Sequence, residues 1–400
     1  MVSAADDRSV PLAGTRVVDL TTFLSGPVAA RTLADLGAEV VRVESPRGDP
    51  TRAGSGLGPG DPPSAFSLAL HRDRRGVVLD LKTEGGVAVL RDLVAASDVL
   101  LENFSPGVTS RLGVTYEDLA PVNPRLVYCT ITGFGPDGPY SQVSATDGAL
   151  QAFGGVLELT GRRGSFGPPV PLPIADLIAG ATAAQGVLAA LLARERDGRG
   201  AHVDVSMLES LLGWLLVSDR ERTLAPPTTL VLEAKDGESL LVQTTLHFQE
   251  RFASLLAEVP GCGALTDDPR FSTRESRQEH LDDYLILVRR AVATRSSDEW
   301  LAALGALRIP ASRIQRIDDA VADPQVTHRA GTVELDVPGL GRRSVLTSPL
   351  RFDGQRKTTT TPPPTLGEHT GVVLRDVLGY DDDRIGALRA QGAFGEREVR

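Results

Sequence analysis

Short apolar runs and helical periodicities take turns along the first half of the chain. Thr15 to Leu20 (TRVVDL) reads as a buried strand, Gly26 and Pro27 open a helix that runs to Leu36, and Gly37 ends it. Ala38 to Glu44 supplies a second β-rich run, completing a βαβ unit. Val77 to Leu81, Asp98 to Glu102 and Leu126 to Ile131 read as further strands, with a helix over Glu84 to Ala96 and a helical turn over Tyr116 to Ala120. This alternation predicts an α/β fold with a doubly wound, mostly parallel sheet.

The pattern then lengthens. From Asp176 to Arg196 a long helix carries Ala179, Gly180, Ala183, Ala184 and Gly186, small enough for close backbone approach, beside an apolar stripe of Leu188, Leu191 and Leu192. Asp197 to Gly200 is a turn, followed by a strand over Ala201 to Val205 and a helix over Met207 to Val217. The pattern breaks around Ala225-Pro226-Pro227. Beyond it, Thr229 to Ala234 and Leu240 to Thr244 form a hairpin about a Lys235-Asp236-Gly237 turn, with helices over Gln249 to Ala257, His280 to Ala293 and Ser297 to Leu307. This second stretch reads as a smaller α+β domain; Ser296 and Glu299 have the S-x-x-E spacing of a capping box. After Asp323-Pro324-Gln325 come two short β-like segments, a Thr/Pro-rich linker from Thr358 to Pro364 and a final helix near Thr370 to Leu378.

Composition narrows the chemistry. The 400 residues exceed a comfortable single core, and 41% hydrophobic content is ordinary for a globular chain. A net charge of −10, with both signs interspersed, argues against nucleic acid or a membrane surface as the partner. Cys129 and Cys262 lie far apart without metal-ligand spacing, so no metal is expected. The segment MVSAADDRSVPLAG has acids where an export signal needs basic residues, and no run of about 18 apolar residues occurs, so a cytoplasmic protein is expected. The first βα turn, DLTTFLSGP, lacks G-x-G-x-x-G, and no phosphate-binding P-loop motif occurs.

One carboxylate stands out: Asp176, at the mouth of a long helix otherwise nearly free of acid. Unpaired N–H groups and the helix dipole favour a negative charge there, so Asp176 is poised either to cap or to attack.

The segment PLPIADLIAGATAAQG, together with GTRVVDLTTFLSGPVAARTLADLGAEVVRVESPRGD, LENFSPGVTSRLG, TGFGPDGPYSQ, DGALQAFGG, DDPRFSTRESR and PPPTLGEHT, resembles the family III CoA-transferases (the CaiB/BaiF family), in order from about Leu12 to Leu388. That group includes formyl-CoA and carnitine CoA-transferases and α-methylacyl-CoA racemases. The resemblance implies an interlocked, ring-like homodimer. Each subunit would have a Rossmann-like large domain built from both chain ends: residues 1–224, a small α+β domain over 225–328, and 329–400 returning to the large domain. It implies an acyl-CoA donor and a carboxylic acid acceptor as substrates, with coenzyme A entering as the acyl-CoA co-substrate. It makes Asp176 the nucleophile that attacks the thioester, giving an aspartyl-acyl anhydride and then an aspartyl-CoA thioester. It also assigns CoA contacts to Arg42, Leu79, Lys82, Asn103, Phe104 and Arg111.

Three departures from the family pattern matter. Ser105 stands where relatives often carry a basic residue after Asn-Phe, removing one phosphate contact. A run of four glycines, used by formyl-CoA transferase to cover its aspartate, is absent, so oxalate and formate gain no support. Thr146 occupies the position of the racemase histidine, and a threonine hydroxyl does not take an α-proton at neutral pH. A racemase-like or intramolecular CoA-transfer reaction therefore ranks second, and a non-catalytic acyl-CoA binder, which would not need Asp176, third. Asp147 reads as a helix cap ahead of GALQAFGG and Tyr140 as a packing residue. Two Trp and five Tyr give no sign of an aromatic-lined pocket.

Overall fold

The computed structural model describes residues 10–52, 62–161, 165–215, 229–244 and 248–395. The chain divides into two units, Met1–Val217 with Pro324–Arg400, and Ser218–Asp323. The first unit runs β1 (Arg16–Asp19), α1 (Ser25–Asp35), β2 (Glu39–Glu44), α2 (Ala65–Leu70), β3 (Arg74–Val78), α3 (Glu84–Ala95) and β4 (Val99–Glu102). It continues through α4 (Val108–Leu112), α5 (Tyr116–Leu119), β5 (Val127–Thr132), α6 (Asp147–Phe153), α7 (Val156–Thr160), α8 (Ile174–Asp197), β6 (Ala201–Ser206) and α9 (Met207–Leu215).

The six strands form one sheet in the order β3-β2-β1-β4-β5-β6, with every pair parallel. Helices cover both faces, which is why the central strands read as continuous apolar runs and not as alternating ones. On one face Val18, Val41, Leu90, Leu100 and, from the helix Thr370–Asp376, Leu374 share a core. On the other, Val17, Leu33, Val99, Val127, Ala179 and Val187 do. The strand order reverses between β1 and β4, so their carboxyl ends diverge and leave a crevice where α/β sheets bind ligands.

Two starts that differ from the sequence expectation, those of β3 and α8, have a physical reason. β3 begins at Arg74, three residues before Val77. A charged strand start is tolerated because Arg74 is buried against Asp19, Nη1 to Oδ2 at 2.7 Å, while its Nη2 donates to the Pro27 carbonyl at 2.7 Å. Burial brings Arg74 down to about 10, against the pull of Asp19. α8 begins at Ile174, so Asp176 lies inside its first turn, while the residue before the helix, Pro173, offers no side-chain cap. At 24 residues, with a mean hydropathy of 1.6 in its most apolar window, α8 is long and apolar enough to cross a membrane; here it packs against α1, β5, β6, α6 and α9.

In the second unit β7 (Thr229–Glu233), β8 (Ser239–Gln243) and β9 (Ala311–Arg313) form an antiparallel sheet. Its core gathers Leu232, Leu240, Phe252, Val288 and Trp300. The Ser296–Glu299 capping box forms as its spacing requires. The break at Ala225-Pro226-Pro227 and the last two residues of the predicted helix over Met207 to Val217 lie outside the described residues. β10 (Thr332–Val337) and β11 (Gly341–Leu346) pair as a hairpin in the first unit.

Candidate active site

At the crevice between β1 and β4, two loops are tied by one side chain. Asn103 Oδ1 accepts from Thr22 N at 2.8 Å, and its Nδ2 donates to Thr22 O at 2.9 Å and reaches Ser25 Oγ at 3.3 Å. Its amide is thus committed to backbone and to Ser25, so Asn103 holds the crevice in shape. The adjacent Glu102 is buried, which pushes it up to about 7, and its Oε2 accepts from Phe104 N at 2.8 Å. That bond fixes the peptide that presents Phe104.

Asp176 meets this crevice from α8. One turn later on the same face, Gly180 lies against α1 so closely that a Cβ there would sit 2.5 Å from Ser25 O and 2.7 Å from Val28 Cβ. Glycine therefore lets α8 approach the N-terminus of α1. Gly26 serves a different close approach, that of the β1–α1 loop to the first turn of α1, a Cβ there falling 2.2 Å from Thr21 Cβ. The Asp176 carboxylate consequently faces the Ser25 hydroxyl and backbone N–H. Desolvation, followed by repulsion from Asp147, pushes Asp176 up to about 6 against those two donors. A half-buried carboxylate held by few donors is more basic and more nucleophilic than one in water.

The pocket around Asp176, about 470 Å³, is lined by Phe23, Ser25, Asn103, Thr146 and Asp147 among others. Phe23 adopts φ 60°, a conformation uncommon for a non-glycine residue and costly to hold. Phe134, also on the lining, packs with Tyr140 and Phe153 at centroid distances of 5.4 to 5.6 Å. Phe134, backed by those two rings, joins Phe23 and Phe104 on the lining, so the pocket has aromatic surface despite the low aromatic content of the chain.

A larger cleft of about 1060 Å³ adjoins this pocket, sharing Thr22, Phe104 and Val108 with it. Leu79, buried, and Leu81, Val87 and Phe104 give it an apolar floor, while Lys82, Arg91 and Arg111 bring cations to its wall. A flat apolar surface with mobile cations suits an adenine nucleotide carrying phosphates, and the volume suits a ligand of that size. Of the residues singled out in sequence, Leu79, Lys82, Phe104 and Arg111 meet here, and Asn103 and Asp176 line the adjoining pocket.

Arg42 does not line the cleft. It is fully buried, with Nη2 3.0 Å from Asp49 Oδ2 and 3.4 Å from Glu44 Oε1. Arg52 makes a two-point contact to the same Glu44, at 2.8 and 2.7 Å. Glu44 is held below the usual carboxylate range by Arg42 and Arg52 despite the opposing desolvation. Glu44 and Asp49 themselves border the cleft, so Arg42 props that wall from behind. Sequence reasoning missed Arg91, one helical turn beyond Val87 on α3, and Ser25, whose role depends on a helix contact 155 residues away.

A model of CoA-transferase family III matches residues 12–370. The chain is 30% identical to the succinyl-CoA:glutarate CoA-transferase of Mus musculus, over 98% of this chain and 92% of that protein. It is 33% identical to the formyl-CoA:oxalate CoA-transferase of Streptomyces avermitilis, over 96% of this chain and 99% of that protein. A crystal structure of a CaiB/BaiF family protein from Brucella suis superposes with a TM-score of 0.80 at 31% identity, covering 92% of this chain and all (100%) of that one.

Proposed function

The chain belongs to CoA-transferase family III and is an enzyme that moves CoA between an acyl-CoA and a carboxylic acid, and we propose that it does so by covalent catalysis at Asp176. The observation that carries this reading is the placement of a half-buried carboxylate, pushed up to about 6, in a pocket that adjoins the cleft bearing Leu79, Lys82, Phe104 and Arg111.

An ionised Asp176 oxygen attacks the thioester carbonyl carbon. The C–S bond breaks, the thiolate leaves with the electron pair, and an aspartyl-acyl anhydride remains. The thiolate then attacks the aspartyl carbonyl, releasing the first acid as a carboxylate and leaving an aspartyl-CoA thioester. The acceptor carboxylate attacks that thioester and expels the thiolate, which finally captures the acceptor's acyl group and frees Asp176. Each step exchanges one activated acyl bond for another, and positioning supplies much of the rate. In this reading Lys82 and Arg111 hold the phosphates, Leu79 and Phe104 the adenine side of CoA, and Arg42 supports the wall behind them. The chain's own donors near the reacting carbonyl are the Ser25 hydroxyl and backbone N–H.

The two relatives are named for the pairs succinyl-CoA with glutarate and formyl-CoA with oxalate, and succinyl-CoA with glutarate is the first substrate pair to try. The interlocked homodimer belongs to the same proposal; the exposed apolar side chains Phe153, Leu172 and Trp214 give it surface to bury. A cytoplasmic setting accords with two free, buried cysteines. The test is CoA exchange across a panel of acyl-CoA donors and carboxylic acids, with and without Asp176→Ala. Transfer that disappears in a folded alanine variant supports the reading, and transfer that persists overturns it.

A further inference from the structure

The carboxylate of Asp147 is the first polar group of α6, yet one of its two oxygens serves another helix. Its Oδ1 accepts from Ala175 N at 2.7 Å, with Asp176 N at 3.4 Å. These are first-turn N–H groups of α8, the helix whose own N-cap residue, Pro173, supplies no side-chain acceptor. On its other side, Asp147 Oδ2 accepts from Gln151 Nε2 at 2.7 Å. Gln151 is buried, and its amide also spans the segment entering α8: Nε2 donates to Val170 O at 3.2 Å and Leu172 O at 3.0 Å, while Oε1 accepts from Val170 N at 2.9 Å. Asp147 and Gln151 together clamp the chain before α8 and the first turn of α8 to a single helix.

We propose that Asp147 is a positioning residue: it caps α8 in trans, fixes the backbone of Asp176 at the pocket, and presses a negative charge on the nucleophile. The inference rests on the reading of Asp176 as the nucleophile. The two roles have separable consequences. The cap sets where the Asp176 carboxylate points, and an attacking oxygen displaced by an ångström loses much of its rate. The charge sets where Asp176 ionises. Among the described residues lining the pocket, the ionisable side chains are Asp147 from α6 and Asp176 itself, with the Ser25 donors of α1 opposing Asp147. Removing the charge at 147 therefore makes Asp176 ionise at lower pH; a general loss of packing, which would also let water reach Asp176, differs in taking the kcat plateau and the stability of the fold down with it.

Asp147→Asn keeps an oxygen for Ala175 N and removes the charge; Asp147→Ala removes both. The assay is kcat and KM for CoA transfer from succinyl-CoA to glutarate between pH 5 and 9, replaced by the best pair of the donor and acceptor panel if that pair is slow. In Asp147→Asn the acid limb of kcat shifts down by about half a pH unit or more, with the plateau within about tenfold of the parent. In Asp147→Ala the plateau falls by more than about tenfold while KM for the acyl-CoA stays within about twofold, because the cleft is untouched. Asp147→Ser, which retains a capping oxygen in less volume, replaces the asparagine variant if that variant does not fold, and carries the same predicted shift. Acid limbs and plateaus equal to the parent's in folded variants overturn the inference. Asp176→Ala run alongside separates the two levels: an active alanine variant defeats the nucleophile assignment, whereas an inactive one beside parental Asp147 variants defeats only the role of Asp147.

Discussion

Replacing Asp176 by asparagine should abolish transfer and make the protein more stable at neutral pH. The carboxylate ionises at about 6 in the fold, against an ordinary value of 3.8, first because burial strips its water and then because Asp147 repels it. The folded state therefore holds the proton more tightly than the unfolded chain. In this direction stability is lost as pH rises, starting above 3.8 and finishing once the folded group has ionised above about 6. At about 1.4 kcal/mol per pH unit the gap is worth roughly 3 kcal/mol at most. Asparagine keeps the shape and an acceptor for the Ser25 donors while removing the charge. Urea unfolding followed by circular dichroism at pH 4 to 8 measures the difference. The variant should gain up to roughly 3 kcal/mol over the parent at pH 8, a gain that shrinks toward zero near pH 4. A difference that does not change with pH, or a variant less stable than the parent at pH 8, refutes the claim that the fold holds this carboxylate under electrostatic strain.

Lys82→Ala and Arg111→Ala should each raise KM for the acyl-CoA by about tenfold, the worth of one charge-assisted phosphate contact, with kcat changed far less; steady-state kinetics at two salt concentrations checks this. Arg42→Met should lower the urea midpoint by an amount corresponding to about 3 kcal/mol, since it strands Glu44 and Asp49 beside a single remaining arginine; a raised KM with unchanged stability would instead make Arg42 a direct CoA contact. Gly180→Ala should destabilise by about 1–3 kcal/mol and cut kcat together, because the added methyl meets the Ser25 carbonyl and pushes α8, with Asp176, off α1; a melt and a rate on the same preparation decide it.

Much of the scaffold was legible because buried parallel strands leave runs such as RVVD, EVVRVE and VLLE that no exposed segment would carry. Where charge is buried, that signal fails. Arg74 and Arg75 open β3 with no apolar signal to mark them, and Arg74 is accommodated by Asp19, on a strand 55 residues earlier. The same blindness applies to Arg42, which the family resemblance marks as a CoA contact and which lies buried against Asp49 and Glu44. Asp176 was visible through its position at the start of an apolar helix. What surrounds it was not, because Ser25, Asp147 and Gln151 act through contacts between helices that no local spacing encodes. The short helices α2, α4 and α7 also went unread, being too brief to establish a period.

The most direct test of the account is to incubate the protein with succinyl-CoA, or the best donor of the panel, add hydroxylamine, and locate the modified residue by peptide mass spectrometry. Covalent catalysis predicts a hydroxamate on the peptide carrying Asp176, formed only when acyl-CoA is present and absent from Asp176→Asn. Steady CoA transfer with Asp176 unmodified, or modification at another side chain, would contradict it.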